Sequence, residues 1–319
     1  MNVSQGYVGG FLVAKEKNYS VPVSGKKSFS LGLRNNLLGF SFILPNFIGF
    51  FIFVLIPVSV SLLLCFMDWD GFSPMKFAGI KNFISIFRDS VFRQAIRLTL
   101  VYAVSCVFIT AIASLLLATL LNRQFKARNF FRSMLYFPNV ASVVSIAVVW
   151  RLLFMRDFGP INEFLRFIGI ANPPGWFSTT RYALPAVIVV SIWKGMGYYM
   201  IIYLAALQNI PRELYEAASI DGASAFQAFR RITFPLLSPA TFFVVLMLTM
   251  NSFKSFDLIF ALTEGGPGTA TTLISNYIYN KAFIAFNYGQ TSAAAMILFV
   301  IIAVFTTIQF RLEKKMSFE

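Results

Sequence analysis

The chain has 319 residues, of which 57% are hydrophobic and only 13% charged, with a mean hydropathy of +0.71. Soluble domains carry about 25% charged residues, so these figures argue against a soluble protein. The net charge is +14 and there is no histidine, which removes His-based triads, His-ligated zinc and imidazole proton relays.

The basic residues flank apolar runs instead of filling one face. That pattern points to loops beside anionic lipid, not to nucleic acid. Cys65 and Cys106 lie inside apolar runs and read as small packing residues, with no metal cluster or disulfide indicated.

In chain order, residues 1–36 are polar and lack an apolar core long enough for a cleavable signal peptide. They read as a cytoplasmic arm. A bilayer core of about 30 Å takes about 20 helical residues, and six stretches qualify. The first runs from Gly39 to Phe66 and contains Pro45 and Pro57. The second is Leu98–Asn122, and the third is Ser133–Phe154 with Arg151 near its outer end. The fourth, Tyr182–Gln208, carries one charge, Lys194. The fifth, Leu236–Leu262, carries Lys254 and Asp257, three apart on the expected helix and so able to pair. The sixth is Tyr288–Phe310, followed by a short cytoplasmic tail, 311–319.

The expected fold is therefore all-α, a polytopic membrane protein of about six transmembrane helices, with residues 37–310 as the transmembrane domain. An even number of spans puts both termini on one side. That side holds fifteen basic residues against six acidic ones, which places it in the cytoplasm. Trp69, Trp150 and Trp176 fall at outer span ends or in an outer loop, where interfacial aromatics belong. No internal repeat or low-complexity segment is visible, so an inverted-repeat secondary transporter gains no support.

The most informative segment is the loop 209–235 between the fourth and fifth spans. Pro211 suits a first helical turn. Glu213 and Glu216 favour the positive end of that helix. Ala217 and Ala218 form helix with little bulk, so another protein's surface can come close. Gly222 supplies a turn at the helix end. A second short helix follows through Phe226 and Phe229 to Arg230-Arg231, and Pro235 marks re-entry into the membrane.

Glu216-Ala217-Ala218, Gly222 three residues after Ser219, and Ile232-Thr233-Phe234-Pro235 together resemble the EAA loop of binding-protein-dependent ABC importer permeases, with Phe234 where Leu is usual. Asp221-Gly222-Ala223, Ile192-Trp193-Lys194-Gly195 and Leu262-Thr263-Glu264-Gly265-Gly266-Pro267 are similar to the carbohydrate-uptake branch, and to the core of the maltose importer's larger permease subunit.

The resemblance implies a type I importer permease fold in the bacterial inner membrane and a transport protein, not an enzyme. It further implies a coupling role for Glu216, Ala217, Ala218, Asp221, Gly222, Ala223, Ile232 and Pro235 against a separate ATPase. The partners it implies are a second, homologous permease subunit, two copies of an ATP-binding subunit holding ATP and magnesium, and an outer solute-binding protein. The sequence has no G-x-x-x-x-G-K-[ST] of its own; the nearest piece, Gly25-Lys26-Lys27-Ser28, lacks the upstream glycine. A permease for another nutrient, and less readily a channel or secondary transporter, are the competing readings.

Ionisable residues inside spans cost about 2.5–3.5 kcal/mol at the centre, so they tend to face a partner or a water-filled path. Lys194, Lys254 and Asp257 are the first places to look. Gly195 and Gly197 beside Lys194 can loosen or kink the helix, and Tyr198 and Tyr199 offer stacking faces and hydroxyls. The resemblance places sugar contacts at Lys194, Gly195 and Tyr198 on the fourth span, and at Asn251, Ser252 and Ser255 on the fifth, with Lys254 on the same path. Asn and Ser both donate and accept, which suits polyhydroxyl ligands. Two lysines on one path also raise the hypothesis of an anionic cargo, such as a uronate oligosaccharide or a glycerol phosphate.

Overall fold

The computed structural model describes residues 40–316; the arm expected over residues 1–36 lies outside them. The chain divides into two compact units, one ending at Val58 and the other beginning at Ser59.

Helix α1, Phe40–Leu64, has 25 residues and no charge. It widens into a π-turn at Phe51–Leu55, two residues before Pro57. A proline has no N–H for the carbonyl four residues back, and its ring crowds that carbonyl; a widened turn relieves both. A short antiparallel pair follows, β1 (Met67–Asp68) with β2 (Lys76–Phe77). Among the described residues it is the one departure from the all-α expectation.

The remaining helices are α2 (Lys81–Arg88), α3 (Ser90–Asn122), α4 (Arg128–Val140), α5 (Val143–Leu153), α6 (Pro160–Phe167) and α7 (Thr180–Gln208). After them come α8 (Arg212–Ile220), α9 (Ala225–Leu236), α10 (Ser238–Phe253), α11 (Asp257–Thr263), α12 (Ile274–Phe283) and α13 (Tyr288–Met316).

Among the described residues α1, α3, α7 and α13 are each long and apolar enough to cross a bilayer. Two bent pairs, α4 with α5 at 102° and α9 with α10 at 65°, bring the number to six when each pair counts as one span.

Two of the spans expected as continuous helices are broken, the third at the bend between α4 and α5 and the fifth at a gap that follows α10. The third carries Pro138 inside α4, and its backbone turns extended at Ala141 and Ser142, with ψ of 149° and 130°. The fifth stops at Phe253, leaves Lys254–Phe256 outside any helix, and restarts at Asp257. Lys254 and Asp257 therefore stand on opposite sides of a break, and no ion pair joins them among the described residues. The expected pairing along one helix is corrected by that break. Non-helical backbone at membrane depth survives where protein or a water-filled cavity satisfies it. Here the Ser275 hydroxyl donates to the Ser255 carbonyl oxygen.

The packing of α3 follows from its two faces. Ala95, Thr99, Ala103, Cys106, Thr110, Ser114 and Ala118 form a buried stripe of small residues, which lets a neighbouring helix approach closely. Val104, Phe108, Ile112, Leu116 and Leu120 recur every fourth residue on the exposed face, as a lipid-facing surface requires.

The neighbour of α3 is α7. Tyr102 bonds to Ser191 and Ser114 to the Met196 carbonyl, so residue numbers rise together and the two helices run parallel. Conversely, Gln309 bonds to Thr249 and Phe305 packs on Phe253, so α10 and α13 run antiparallel. The ends of α3, α7 and α13 and the start of α10 consequently lie on one side, with the loop that follows α7.

Two buried clusters stack along α3 and α7. One gathers Tyr102, Cys106, Ile146, Val187, Val190, Ile259 and Leu273. The other gathers Leu121, Tyr199, Tyr203, Leu207, Leu237, Val244 and Leu248 on the loop side.

Candidate functional site: a polar cavity and an exposed loop

Where the two clusters meet, α3, α4, α7 and α10 enclose a cavity of ≈ 460 Å³. All seven residues expected on the substrate path line it: Lys194, Gly195 and Tyr198 from α7, Asn251 and Ser252 from α10, and Lys254 and Ser255 from the break. The break explains why residues of one apolar span turn polar atoms inward. It ends α10 at the cavity wall and aims Lys254 and Asp257 at the same space.

The cavity also takes residues that the sequence did not single out. Tyr102 donates to Ser191 Oγ at 2.9 Å and, its proton being used there, accepts from Ser255 Oγ at 3.1 Å. Ser191 in turn donates to the Val187 carbonyl. This chain of hydroxyls ties α3, α7 and the break together behind the cavity. On the loop side, Asn251 Nδ2 donates to the Tyr199 hydroxyl at 3.1 Å, and the Tyr198 and Tyr199 rings meet edge-on at 5.1 Å. Thr110, Cys106 and Asn139 also line the wall, with the apolar Met247, Leu248 and Leu258.

Lys194 and Lys254 have no ion-pair partner among the described residues. Asp257 accepts from the N–H of Leu258 at 2.8 Å. Lys254 closes the C-terminus of α10 and Asp257 opens α11, each at the helix end whose dipole favours its sign. Lys194, in the middle of α7, has no such support. The wall therefore offers two cations, one carboxylate, three phenol groups, two amides, three serine hydroxyls and the Thr110 hydroxyl. That set hydrogen-bonds and stacks, and contains no nucleophile–base pair. Among the described residues no cluster of His, Cys, Asp or Glu suits a metal ion.

The two glycines of α7, which is unbroken from Thr180 to Gln208, differ in the space around them. A Cβ on Gly197 would lie 1.8 Å from the Leu135 carbonyl oxygen, whereas one on Gly195 would meet nothing closer than 3.8 Å. Gly197 is the point where the backbones of α7 and α4 touch.

The loop after α7 folds as its residues dictate. Pro211 caps α8, and the helix ends in a Schellman turn. Gly222 takes φ +71°, its N–H reaches the Ser219 carbonyl, and the Ala223 N–H reaches that of Ala218. Ser224 and Gln227 then form a capping box that starts α9. A π-turn over Phe229–Thr233 precedes Pro235.

No residue of α8 is buried. Ala218, Asp221, Gly222, Ala223 and Ile232 line one groove of ≈ 310 Å³; Glu216 and Ala217 are exposed outside it, and Pro235 borders a different recess near α13. The Tyr215 and Thr233 hydroxyls bond at 2.9 Å. Tyr215 and Ile232 pack against the loop-side cluster that also holds Tyr199.

Residues 110–318, which include most of the cavity and the whole loop, match the family described as binding-protein-dependent transport system inner membrane component. The chain is 38% identical over 287 residues to the probable starch degradation products transport system permease protein AmyD of Thermoanaerobacterium thermosulfurigenes, covering 90% of this chain and 97% of that protein. In structure it is similar to a chain of a bacterial ABC transporter involved in the import of the acidic polysaccharide alginate, with a TM-score of 0.80, 26% identity and coverage of 90% of this chain and 98% of the other. It is also similar to a chain of the alginate transporter in complex with alginate pentasaccharide-bound periplasmic protein, with a TM-score of 0.79, 25% identity and coverage of 90% and 97%. The family match, the sequence relatives and the structural likeness agree: this chain belongs to the binding-protein-dependent transport system inner membrane components, and is a multi-pass permease of the ABC importer type.

Proposed function

We infer that the chain is the permease subunit of an ATP-driven saccharide importer and forms half of its translocation pathway. The observation that carries the inference is the cavity at the broken part of the fifth span. Its phenol rings, amides and serine hydroxyls suit a polyhydroxyl cargo, because each hydroxyl of a sugar needs both a donor and an acceptor. The saccharides named for the starch-product and alginate relatives support the same class.

Helix α8 with its Gly222 turn is the coupling element, seated on a separate ATPase subunit. Its exposure, small Ala217–Ala218 surface and groove support that role. Two ATPase copies hold ATP and magnesium, a second homologous permease supplies the other half of the path, and a solute-binding protein delivers the cargo.

The test uses the complete transporter reconstituted in proteoliposomes with its binding protein and ATP. Asn251→Leu should leave assembly and basal ATP hydrolysis intact and lower saccharide uptake about tenfold or more, as loss of a polar contact to the cargo does. Unchanged uptake of every saccharide in that variant sinks the reading. In the same assay Lys194→Ala decides the charge of the cargo. A loss confined to acidic sugars supports an anionic cargo, and an equal loss for neutral and acidic sugars removes it.

A further inference from the structure

The end of α5 carries a second recess, of ≈ 490 Å³, away from the cavity and from the coupling loop. Its floor is apolar: Val148 and Leu152, one helical turn apart, belong both to the recess and to the exposed face of α5, where they are 53% and 56% exposed. That face continues back to Val144, 65% exposed. On a transmembrane segment such a stripe faces lipid, so the recess opens directly onto the bilayer.

The far wall is aromatic. Phe154 and Phe177 line it, and Phe154 packs on Trp176 at 4.9 Å and on Trp150 at 5.1 Å. Tryptophans gather at the membrane–water boundary, which puts the mouth of the recess at headgroup level.

At that mouth stand Arg151 and Arg156. Among the described residues neither guanidinium has a hydrogen-bond or ion-pair partner. Arg166, the next arginine along, shows the contrast. It is held by Glu163 at 2.6 Å and by the carbonyls of Arg156 and Asp157. The neighbouring acid, Asp157, does not line the recess.

Two unpaired guanidiniums above an apolar slot that faces acyl chains match one chemistry. A guanidinium fork binds phosphate oxygens in a bidentate manner, while a hydrocarbon tail fills the slot below. We propose that this recess is a binding site for an anionic phospholipid, with its phosphate between Arg151 and Arg156 and an acyl chain along Val148 and Leu152.

Native mass spectrometry of the assembled transporter, released from nanodiscs made of equal parts phosphatidylglycerol and phosphatidylcholine, tests the site. The wild type should retain phosphatidylglycerol over phosphatidylcholine by about tenfold, which corresponds to about 1.4 kcal/mol. Arg151→Gln with Arg156→Gln should remove that preference. Leu152→Trp keeps both charges and fills the slot from an exposed position, so it should remove the bound lipid without affecting the fold. Arg123→Gln, at the other membrane face, should change nothing. Equal retention of the two lipids by the wild type, or unchanged retention in the Arg151/Arg156 and Leu152→Trp variants, overturns the proposal. So does cross-linking of a Leu152→Cys variant to the second permease subunit, since protein would then cover the recess.

Discussion

At Gly197 there is no room for a side chain: a Cβ would sit 1.8 Å from the Leu135 carbonyl oxygen and 2.9 Å from the Tyr136 nitrogen. Gly195, two residues earlier on the same helix, would gain only ordinary contacts at 3.8–3.9 Å with Tyr199 and Thr110. The two glycines therefore separate under the same substitution. Gly197→Ala must push α7 off α4 and should cost about 1–3 kcal/mol. Gly195→Ala removes backbone freedom from a helix interior and should be neutral or stabilising by about 0.5–1 kcal/mol. Thermal unfolding of the two purified variants reads the difference, and equal midpoints would refute the close-contact role. The sequence marks Lys194, Lys254 and Asp257 at once, because charge is costly in an apolar run. It does not mark Tyr102, Thr110 or Ser191. A hydroxyl in a span commonly bonds its own helix four residues back, as Thr99, Thr119 and Ser191 do here, so its type says little about what else it faces.

The breaks in the helices are the part of the fold that composition hides. Hydropathy is averaged over a window, and a window does not feel a two-residue extension at Ala141–Ser142 or a three-residue gap at Lys254–Phe256. The signals present were local: Pro138 in the third span, and two opposite charges three residues apart in the fifth. Both π-turns end two residues before a proline, Pro57 and Pro235, a regularity readable only once the turns are seen. The elements outside the spans are held by specific side chains. Asp89 caps α3 through the N–H of Val91 at 2.9 Å, accepts from the Tyr277 hydroxyl at 2.9 Å and pairs with Lys281 at 3.3 Å, which joins α3 to α12. Burial pushes the Asp89 carboxyl up, but the hydrogen bonds from Tyr277 and Val91, with the Lys281 charge, outweigh it and leave the group below the usual carboxylate value. A lowered native value means that the carboxylate stabilises the fold at neutral pH. The contribution is lost as pH falls below about 3.9 and through the lowered value. Asp89→Asn keeps the cap and loses the charge. It should lower stability at pH 7 by about 1.5–3 kcal/mol, the range for hydrogen bonds to a charged group, and flatten the acid limb of a melting-point-versus-pH curve. A variant with the wild-type acid limb would show that Asp89 does not tie the two helices.

At the scale of the whole molecule, the spacing of apolar runs makes the number of spans legible, and the parallel course of α3 and α7 agrees with spans two and four crossing in the same direction. What the runs cannot convey is that the loop after α7 is packed into the membrane part. Tyr215 and Ile232 lean on the loop-side cluster of Leu207, Leu237 and Tyr199, and Tyr199 bonds to Asn251 in the cavity wall. Contiguous packing thus runs from the exposed helix α8 to the cavity, and its outer end is fixed by the turn at Gly222. That residue holds φ +71° with nothing within 4 Å of where its Cβ would be, so a substitution there acts through backbone conformation and not through a clash. Valine in the left-handed region costs about 1–2 kcal/mol, while asparagine visits it readily. Gly222→Val should therefore release the Schellman turn, leave membrane insertion and assembly intact, and abolish ATP-coupled uptake in proteoliposomes. Gly222→Asn should keep most of the uptake. Wild-type transport by the valine variant, or an equal loss in both, would mean that uptake does not depend on the turn that ends α8.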